Sequence, residues 1–530
     1  DKQREAVVKF NKYKNGFFVL NGMAGTGKTF TVRAIIEVAK IINKNSNVKF
    51  VAPTGKATKV LKNSLYANGE GFMANVSTIH KELSPEESFY GNGVMSFKHN
   101  EYNKIDADII VCDESSMIDS ELMYHFMKAI DYDKTKVIFL GDTNQLSSIG
   151  CGNVLNDLIN SKNVKTITLD KIKRQASDSG IVKNSLNAIN GKPLESGIFN
   201  EDFYFVNTTN EQKSLNMTIK SIQRIQDIKK EDNLDNIQIL SPTKKGACGT
   251  NNLNFEIKNK FMGHMSTGTS IELKKFNCLG ERKVLNLNIG DKVIQTENKY
   301  SYLEYEGDVE GKDDFTFNEN AFFELSKTTH SELISNGDDG VVVGFLNTIN
   351  HLKYEGELFK KLKKENKAKN GASKTQLDIC ADEHLNDRCN KDKFVETKKR
   401  ENKNYSAKYV LIKFENKVVA YQEAVLKQCI DLAYAITIHK SQGSQWNSVV
   451  CVFPSYVNRM LTKNLVYTAI TRAEKFCVTI GKEEEISNGL KIDAAKRNTS
   501  LADFLGLKKS KKKKKKSSEK RYYGSYHKFN

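Results

Sequence analysis

The residues with the clearest chemistry stand in one run, Gly22-Met23-Ala24-Gly25-Thr26-Gly27-Lys28-Thr29. It lies between the apolar stretch 17–20 and a helix-like stretch over 30–42. A G-x-x-x-x-G-K-T pattern after a strand and before a helix reads as a phosphate-binding loop. Glycines at 22, 25 and 27 let the backbone turn tightly and aim its N–H groups at a phosphate chain, with Thr26 in the same cradle. The following helix adds the positive end of its dipole. Lys28 is then expected to reach the β- and γ-phosphates, and the Thr29 hydroxyl to sit on Mg²⁺. Two adjacent acids, Asp113 and Glu114, follow the buried-strand run 108–112. Their position suits Asp113 to hold Mg²⁺, through water or Thr29, and Glu114 to polarise an attacking water. Gln145, after the strand-like run 136–140 and Gly141-Asp142-Thr143-Asn144, is placed to sense a γ-phosphate. The chemistry implied is hydrolysis of a nucleoside triphosphate.

These residues need strands that end side by side. Four strand-like runs alternating with helices over about the first 165 residues predict an α/β unit with a doubly wound parallel sheet, its active edge at the strand C-termini. The second run, 48–52, ends in Pro53-Thr54-Gly55-Lys56 and opens a helix. Thr78-Ile79-His80 follows, and then an irregular stretch in which Ser88-Phe89-Tyr90 and Val94-Met95-Ser96-Phe97 flank Gly91-Asn92-Gly93. That spacing predicts a β-hairpin with a glycine turn. Beyond 169 the pattern predicts a helix over 180–189 after Lys173-Arg174-Gln175, a strand over 237–240, and β-rich pieces from 280 to 350 with turns at 288–291 and 336–341. Short strands with such turns suggest an SH3-like barrel or an open β insertion. Residues 351–405 are rich in Lys, Glu and Asn with few apolar anchors and read as an insertion or mobile arm. Strands are expected again at 409–414 and 433–438, before Thr437-Ile438-His439-Lys440-Ser441-Gln442-Gly443-Ser444 and a last strand and helix containing Tyr467, Thr471 and Arg472.

At 530 residues the chain exceeds one core, and length alone suggests about three to four domains. The first residue is Asp1, which predicts that further residues precede it. No apolar run approaches the length of a membrane span and no signal-peptide pattern opens the chain, so it is expected to be intracellular. That means cytoplasmic in a bacterium or phage, or nuclear in a eukaryotic host. The formal charge is +18; residues 508–530 hold 11 Lys or Arg against one Glu, so this tail carries +10 and the rest +8. Both parts suit a polyanionic partner, since neutralising phosphates releases counterions. The nine cysteines include no C-x-x-C, which argues against a disulfide framework in this context. Cys380, His384 and Cys389 match no common zinc spacing.

With these stretches in hand, the sequence resembles a superfamily 1 DNA helicase of the RecD and Dda type, from Gln3 to about Leu505. The resemblance implies two RecA-like P-loop domains with parallel sheets, a β-hairpin pin insertion and an SH3-like β insertion. It divides the chain into 1–83 plus 105–168 (first RecA-like domain), 84–104 (pin), 169–275 plus 409–505 (second RecA-like domain), 276–408 (SH3-like insertion with a Lys-rich arm) and 506–530 (basic tail). Gln3 corresponds to an adenine-reading glutamine, and residues 22–29, Asp113-Glu114 and Gln145 to the family's first three motifs. Pro53, Thr54, Lys56, Thr78 and His80 resemble DNA contacts of the first domain, and Thr437 and His439 those of the second, with Gly443 near nucleotide. Arg174 and Arg472 match arginines presented across the cleft. Phe89 or Phe97 is expected to be the strand-separating wedge.

The implied ligands are ATP and Mg²⁺, and the implied partners single-stranded DNA and DNA forks. The insertion over 301–408 is a candidate contact for a replication or recombination protein, and the chain is expected to act as a monomer. The resemblance favours 5′→3′ movement. Two other readings remain open at this point: a single-strand translocase that displaces proteins, and a non-catalytic nucleic-acid-binding assembly component.

Overall fold

The structure, a computed structural model, describes residues 2–13, 15–66, 75–86, 96–172, 179–196, 201–229, 234–262, 271–276, 282–297, 303–305, 334, 336–349, 406–415, 417–457, 460–494, 497, 499, 501 and 505. Phe89, Arg174, the cluster 380–389, the arm over 351–405 and the lysine tail lie outside the described residues.

Helix α1 (Lys2–Lys12) turns Ala6 and Phe10 inward and leads to strand β1 (Gly16–Gly22). Then come α2 (Lys28–Ile42), β2 (Val48–Ala52), α3 (Gly55–Tyr66), β3 (Asn75–Thr78) and α4 (Ile79–Leu83). A short antiparallel ladder joins β4 (Pro85–Glu86) to β5 (Ser96–Phe97). The run continues through β6 (Ile109–Cys112), α5 (Ser120–Lys128), β7 (Lys136–Gly141) and β8 (Lys165–Leu169). The sheet has the order β3-β2-β6-β7-β1-β8 and every pairing in it is parallel. Two edge strands thus join the four expected from the sequence. Edge strands need no continuous apolar run, and β8 alternates buried and exposed residues.

Central strands are apolar on both faces because helices cover both. Val19, Val51, Ile110, Cys112, Val137 and Phe139 enter one core layer. Their neighbours Phe18, Leu20, Phe50, Val111, Ile138 and Leu140 enter the other. Each such side chain, fully buried, contributes about 1.5–3 kcal/mol relative to exposure.

A second sheet begins with β9 (Phe203–Asn207) and β10 (Ile237–Ser241). The chain then leaves it for a two-stranded ladder, β11 (Ile271–Phe276) with β12 (Arg282–Leu287). An antiparallel sheet follows, built from β13 (Lys292–Gln295), β14 (Leu303–Tyr305), β15 (Asp339–Ile349), β16 (Ser406–Phe414), β17 (Lys417–Gln422) and β18 (Ile430–Leu432). Its order is β14-β17-β16-β15-β13-β18. Gly290 and Gly337 take φ of 86° and 99° at the two turns read from the sequence, a conformation that favours glycine. The chain returns through β19 (Ala435–Thr437), β20 (Trp446–Phe453) and β21 (Ala473–Gly481) to complete a parallel sheet of order β19-β10-β20-β21-β9. In β20, Val449, Cys451 and Phe453 face the layer holding helices Gly180–Ile189 and Lys463–Ile470, while Val450 and Val452 face the layer under Glu211–Lys229.

Two placements differ from the sequence reading. The strand expected at 409–414 belongs to the antiparallel sheet, paired with β15 and β17, and not to the second parallel sheet. The end of the chain, assigned to the second domain up to 505, returns to the first. Arg497 binds the 148–152 loop, Thr499 pairs with Asp157, and Leu501 and Leu505 pack on the first core. Among the described residues no helix is long and apolar enough to cross a membrane.

Candidate active site and nucleic-acid interface

The parallel order brings the C-terminal ends of β6, β7 and β1 side by side, with Asn21 opposite Gly141 and Cys112 opposite Phe139. Ligands in open α/β sheets bind at that edge. Gly25 and Gly27 take φ of 77° and 81°, so the loop after β1 coils back on itself. At Gly22 a Cβ would lie 2.6 Å from Thr26 Oγ1 and 3.2 Å from Leu169, so only glycine fits. Lys28 Nζ folds over the cradle and donates to Gly22 O at 2.7 Å and Met23 O at 3.1 Å. Gln3 reaches in from α1, its Nε2 donating to Thr26 O at 3.4 Å.

Glu114 has φ 49°, the left-handed region, which costs an ordinary residue about 1–2 kcal/mol. That turn lets its N–H donate to Asp113 Oδ1 at 2.8 Å and fix the carboxylate. Burial first, and then the neighbouring Glu114 charge, push the Asp113 carboxyl up to about 6, against the pull of Lys28. Two adjacent carboxylates at a strand end are hard oxygen donors of the kind that suit Mg²⁺ completed by phosphate oxygens and water. Among the described residues no group of three or more His, Cys, Asp or Glu could hold a metal. Gln145 is buried with Oε1 lacking a hydrogen-bond partner, an acceptor suited to a water.

The second parallel sheet meets this edge. Tyr467 OH accepts from Ala24 N at 3.1 Å and donates to Asp142 Oδ2 at 2.5 Å. Thr468 Oγ1 accepts from Leu146 N at 2.9 Å, Asn464 Nδ2 donates to Asn144 O at 2.9 Å, and Gln442 Nε2 donates to Leu146 O at 2.8 Å. Arg472 is buried within its own lobe, donating to Thr468 O and Ser444 O at 3.1 Å each.

The expected DNA contacts fall into two groups. Thr54 Oγ1 accepts from Ala57 N, Thr78 Oγ1 from Lys81 N and Thr437 Oγ1 from Lys440 N. A hydroxyl that accepts a backbone N–H still has its own O–H to donate, which suits a phosphate. Pro53 stands at the end of β2, just before this turn. His80 and His439 are held below the ordinary imidazole range by burial, with Asp119 opposing and His125 adding at His80. They are therefore neutral near pH 7.

Lys56, in contrast, is 7% exposed, pairs with Asp339 Oδ1 at 3.1 Å and lies over the Trp446 ring at 5.6 Å. In this arrangement it joins α3 to the antiparallel sheet. Gly443, φ 73°, lies against Ala57, where a Cβ would sit 3.0 Å from the Ala57 Cβ. That is a packing contact between lobes. Phe97, in β5, is half-buried, 4.9 Å from His125 and 6.4 Å from His80 between ring centroids.

Sequence reasoning missed Tyr467, Trp446, Asp339, His125 and Arg497 as site-building residues. Tyr467 alone carried a signal, a large polar-tipped ring in the helical run just before Thr471-Arg472.

The AAA domain family profile matches residues 1–209, and that of the UvrD-like helicase C-terminal domain matches 432–480. An uncharacterized protein of Methanocaldococcus jannaschii is 30% identical over 95% of this chain and 40% of its own length. The ATP-dependent RecD2 DNA helicase of Deinococcus radiodurans is 24% identical over 92% of this chain and 50% of its own. The RecBCD enzyme subunit RecD of Haemophilus influenzae is 24% identical over 95% and 72%. The chain thus spans about half the length of the first two of these relatives. Among solved structures, a Pif1 helicase from Candida albicans aligns over 95% of this chain and 98% of that one at 15% identity and a TM-score of 0.41, a loose likeness.

Proposed function

The chain belongs to the RecD-like superfamily 1 helicases, and on that premise we propose that it is an ATP-dependent DNA helicase that moves 5′→3′ on single-stranded DNA and opens forks. One observation carries this reading: the phosphate loop and Asp113-Glu114 share one sheet edge, and side chains of helix Lys463–Ile470, which packs on the second parallel sheet, bond to residues 24, 142, 144 and 146 of that edge. A nucleotide site built between two lobes converts occupancy into relative motion.

In this reading Lys28 neutralises the terminal phosphates and Glu114 polarises the attacking water, with Gln145 Oε1 as a second acceptor. Thr29 and Asp113 would hold Mg²⁺, which supplies charge neutralisation at the phosphate oxygens. Gln3 reads adenine, and Arg174 and Arg472 stabilise developing charge from the second lobe. Thr54, Thr78, His80, Thr437 and His439 line the strand path and contact mostly backbone, so sequence preference is slight. The two parallel sheets are the RecA-like domains, the antiparallel sheet the SH3-like insertion, and the β4–β5 ladder the base of the pin. The insertion over 301–408 offers a surface to a replication or recombination protein, and the working form is a monomer.

A second reading, translocation without unwinding, is favoured by the packing of Phe97 against His80 and His125. Forks with a 5′ or a 3′ single-stranded tail separate the two. Unwinding of the 5′-tailed fork alone, abolished in Lys28→Ala, is the expected result. Strand-stimulated ATPase without unwinding supports the translocase, and absence of ATPase overturns both.

A further inference from the structure

We infer that Tyr467 is a positioning residue that competes with bound nucleotide phosphate for the Ala24 N–H and so reports nucleotide occupancy to the second lobe. The inference deepens the proposed function and rests on it only in taking a nucleoside triphosphate as the ligand.

Tyr467 is 1% exposed, and its ring packs in the core beneath β20 while its hydroxyl reaches into the other lobe. That hydroxyl makes two bonds there, accepting from Ala24 N at 3.1 Å and donating to Asp142 Oδ2 at 2.5 Å. Asp142, also 1% exposed, uses Oδ1 to accept from Asn144 N at 3.0 Å. Burial and the Asp142 charge hold the phenol well above its ordinary pKa, so it remains a neutral donor at any working pH. Ala24 belongs to the loop whose N–H groups cradle phosphate, and one N–H serves one strong acceptor well. A phosphate oxygen, bearing charge, is a stronger acceptor than a phenol oxygen. When it takes Ala24 N–H, Tyr467 keeps only Asp142.

The consequence spreads along one helix. Asn464 and Thr468, on Lys463–Ile470 with Tyr467, hold Asn144 O and Leu146 N on either side of Gln145. Arg472 follows two residues beyond the helix and donates back to Thr468 O. A shift of Tyr467 therefore moves the flanks of Gln145 and the seat of Arg472 together. Tyr467 touches neither water nor phosphorus in this scheme; it acts through Ala24 and Asp142.

The test compares the full chain with Tyr467→Phe, which keeps the ring and removes both bonds. Without nucleotide, amide exchange of the peptide containing Ala24 is expected to be slow in the wild type and faster in the variant, and to be equal once a Mg²⁺-bound non-hydrolysable ATP analogue is added. The analogue is expected to bind about 2- to 10-fold tighter to the variant, the range one net hydrogen bond gives. ATP turnover is expected to fall through kcat with KM not raised. Unchanged Ala24 exchange, or a loss carried by KM alone with weaker analogue binding, overturns the inference and leaves Tyr467 a core residue. Should the variant not fold, the wild type still decides. The analogue must raise exchange in the 463–471 peptide, and no change there overturns the inference. Failure of fork unwinding with these shifts intact overturns the helicase reading alone; failure of the analogue to bind the wild type overturns both.

Discussion

At the scale of single residues, the most consequential buried charge lies away from the nucleotide edge. Asp291 is fully buried and accepts from Lys258 Nζ, from Tyr434 OH at 2.7 Å and from Asn288 N at 2.7 Å. It stands at the mouth of β13, where the chain leaves its glycine turn. Burial holds Lys258 below the ordinary ammonium range, with Asp291 opposing. Removing one member of such a pair strands the other in a low-dielectric interior. Asp291→Ala is therefore expected to cost about 3–5 kcal/mol, read as a lowered urea midpoint. A cost under about 1 kcal/mol would mean that water reaches Lys258.

At the scale of elements, α3 joins the lobes. Lys56 and Lys59 reach Asp339, Asp338 and Glu415 of the antiparallel sheet and its turn, and Ala57 receives Gly443. Replacing Gly443 by Ala would force a side chain into the left-handed region and against the Ala57 methyl. The expected cost is about 1–2 kcal/mol from the backbone alone, with the crowding added. Because the contact lies between lobes, Gly443→Ala is also expected to weaken single-strand binding, measured by fluorescence anisotropy. Unaltered stability and binding together would show that the two loops are not in contact in solution.

The same element shows where sequence reading stops. Pro53-Thr54-Gly55-Lys56 was legible as a polar turn opening a helix, because strand, turn and helix are adjacent in the chain. Which groups Lys56 meets was not, since Asp339 and Trp446 come from strands far along the sequence.

At the scale of the whole molecule, the C-terminal run ties the second lobe back to the first. Arg497 donates to Ser148 O at 2.5 Å, Gly150 O at 2.5 Å, Gly152 O at 2.7 Å and Ser148 Oγ at 3.1 Å. Those acceptors form the loop between Gln145 and helix Val154–Asn160. The guanidinium is exposed, so water partly replaces it, and Arg497→Ala is expected to cost about 1–2 kcal/mol. Calorimetry is expected to show the first lobe melting earlier while the second is little changed. Equal shifts of both would mean that the strap serves the molecule as one cooperative unit.

What the sequence by itself determined is local. Eight consecutive residues carry the phosphate loop because its geometry is set by its own glycines and by the helix that follows. Asp113-Glu114 and the apolar runs before them mark strand ends for the same reason: burial on both faces writes itself into a continuous run. The tertiary structure decided everything that depends on which distant segment arrives. An apolar, β-branched-rich run makes 409–414 a strand but does not choose its sheet, and hydrogen-bond partners along β15 made that choice. Arg472 was legible as a charge, but its direction follows from carbonyls of Thr468 and Ser444. Ala24 and Tyr467 are 443 positions apart, and no local rule connects a loop amide with a phenol on the far lobe. Only the packing of helix Lys463–Ile470 against the strand-end loops of the first lobe brings them within one hydrogen bond.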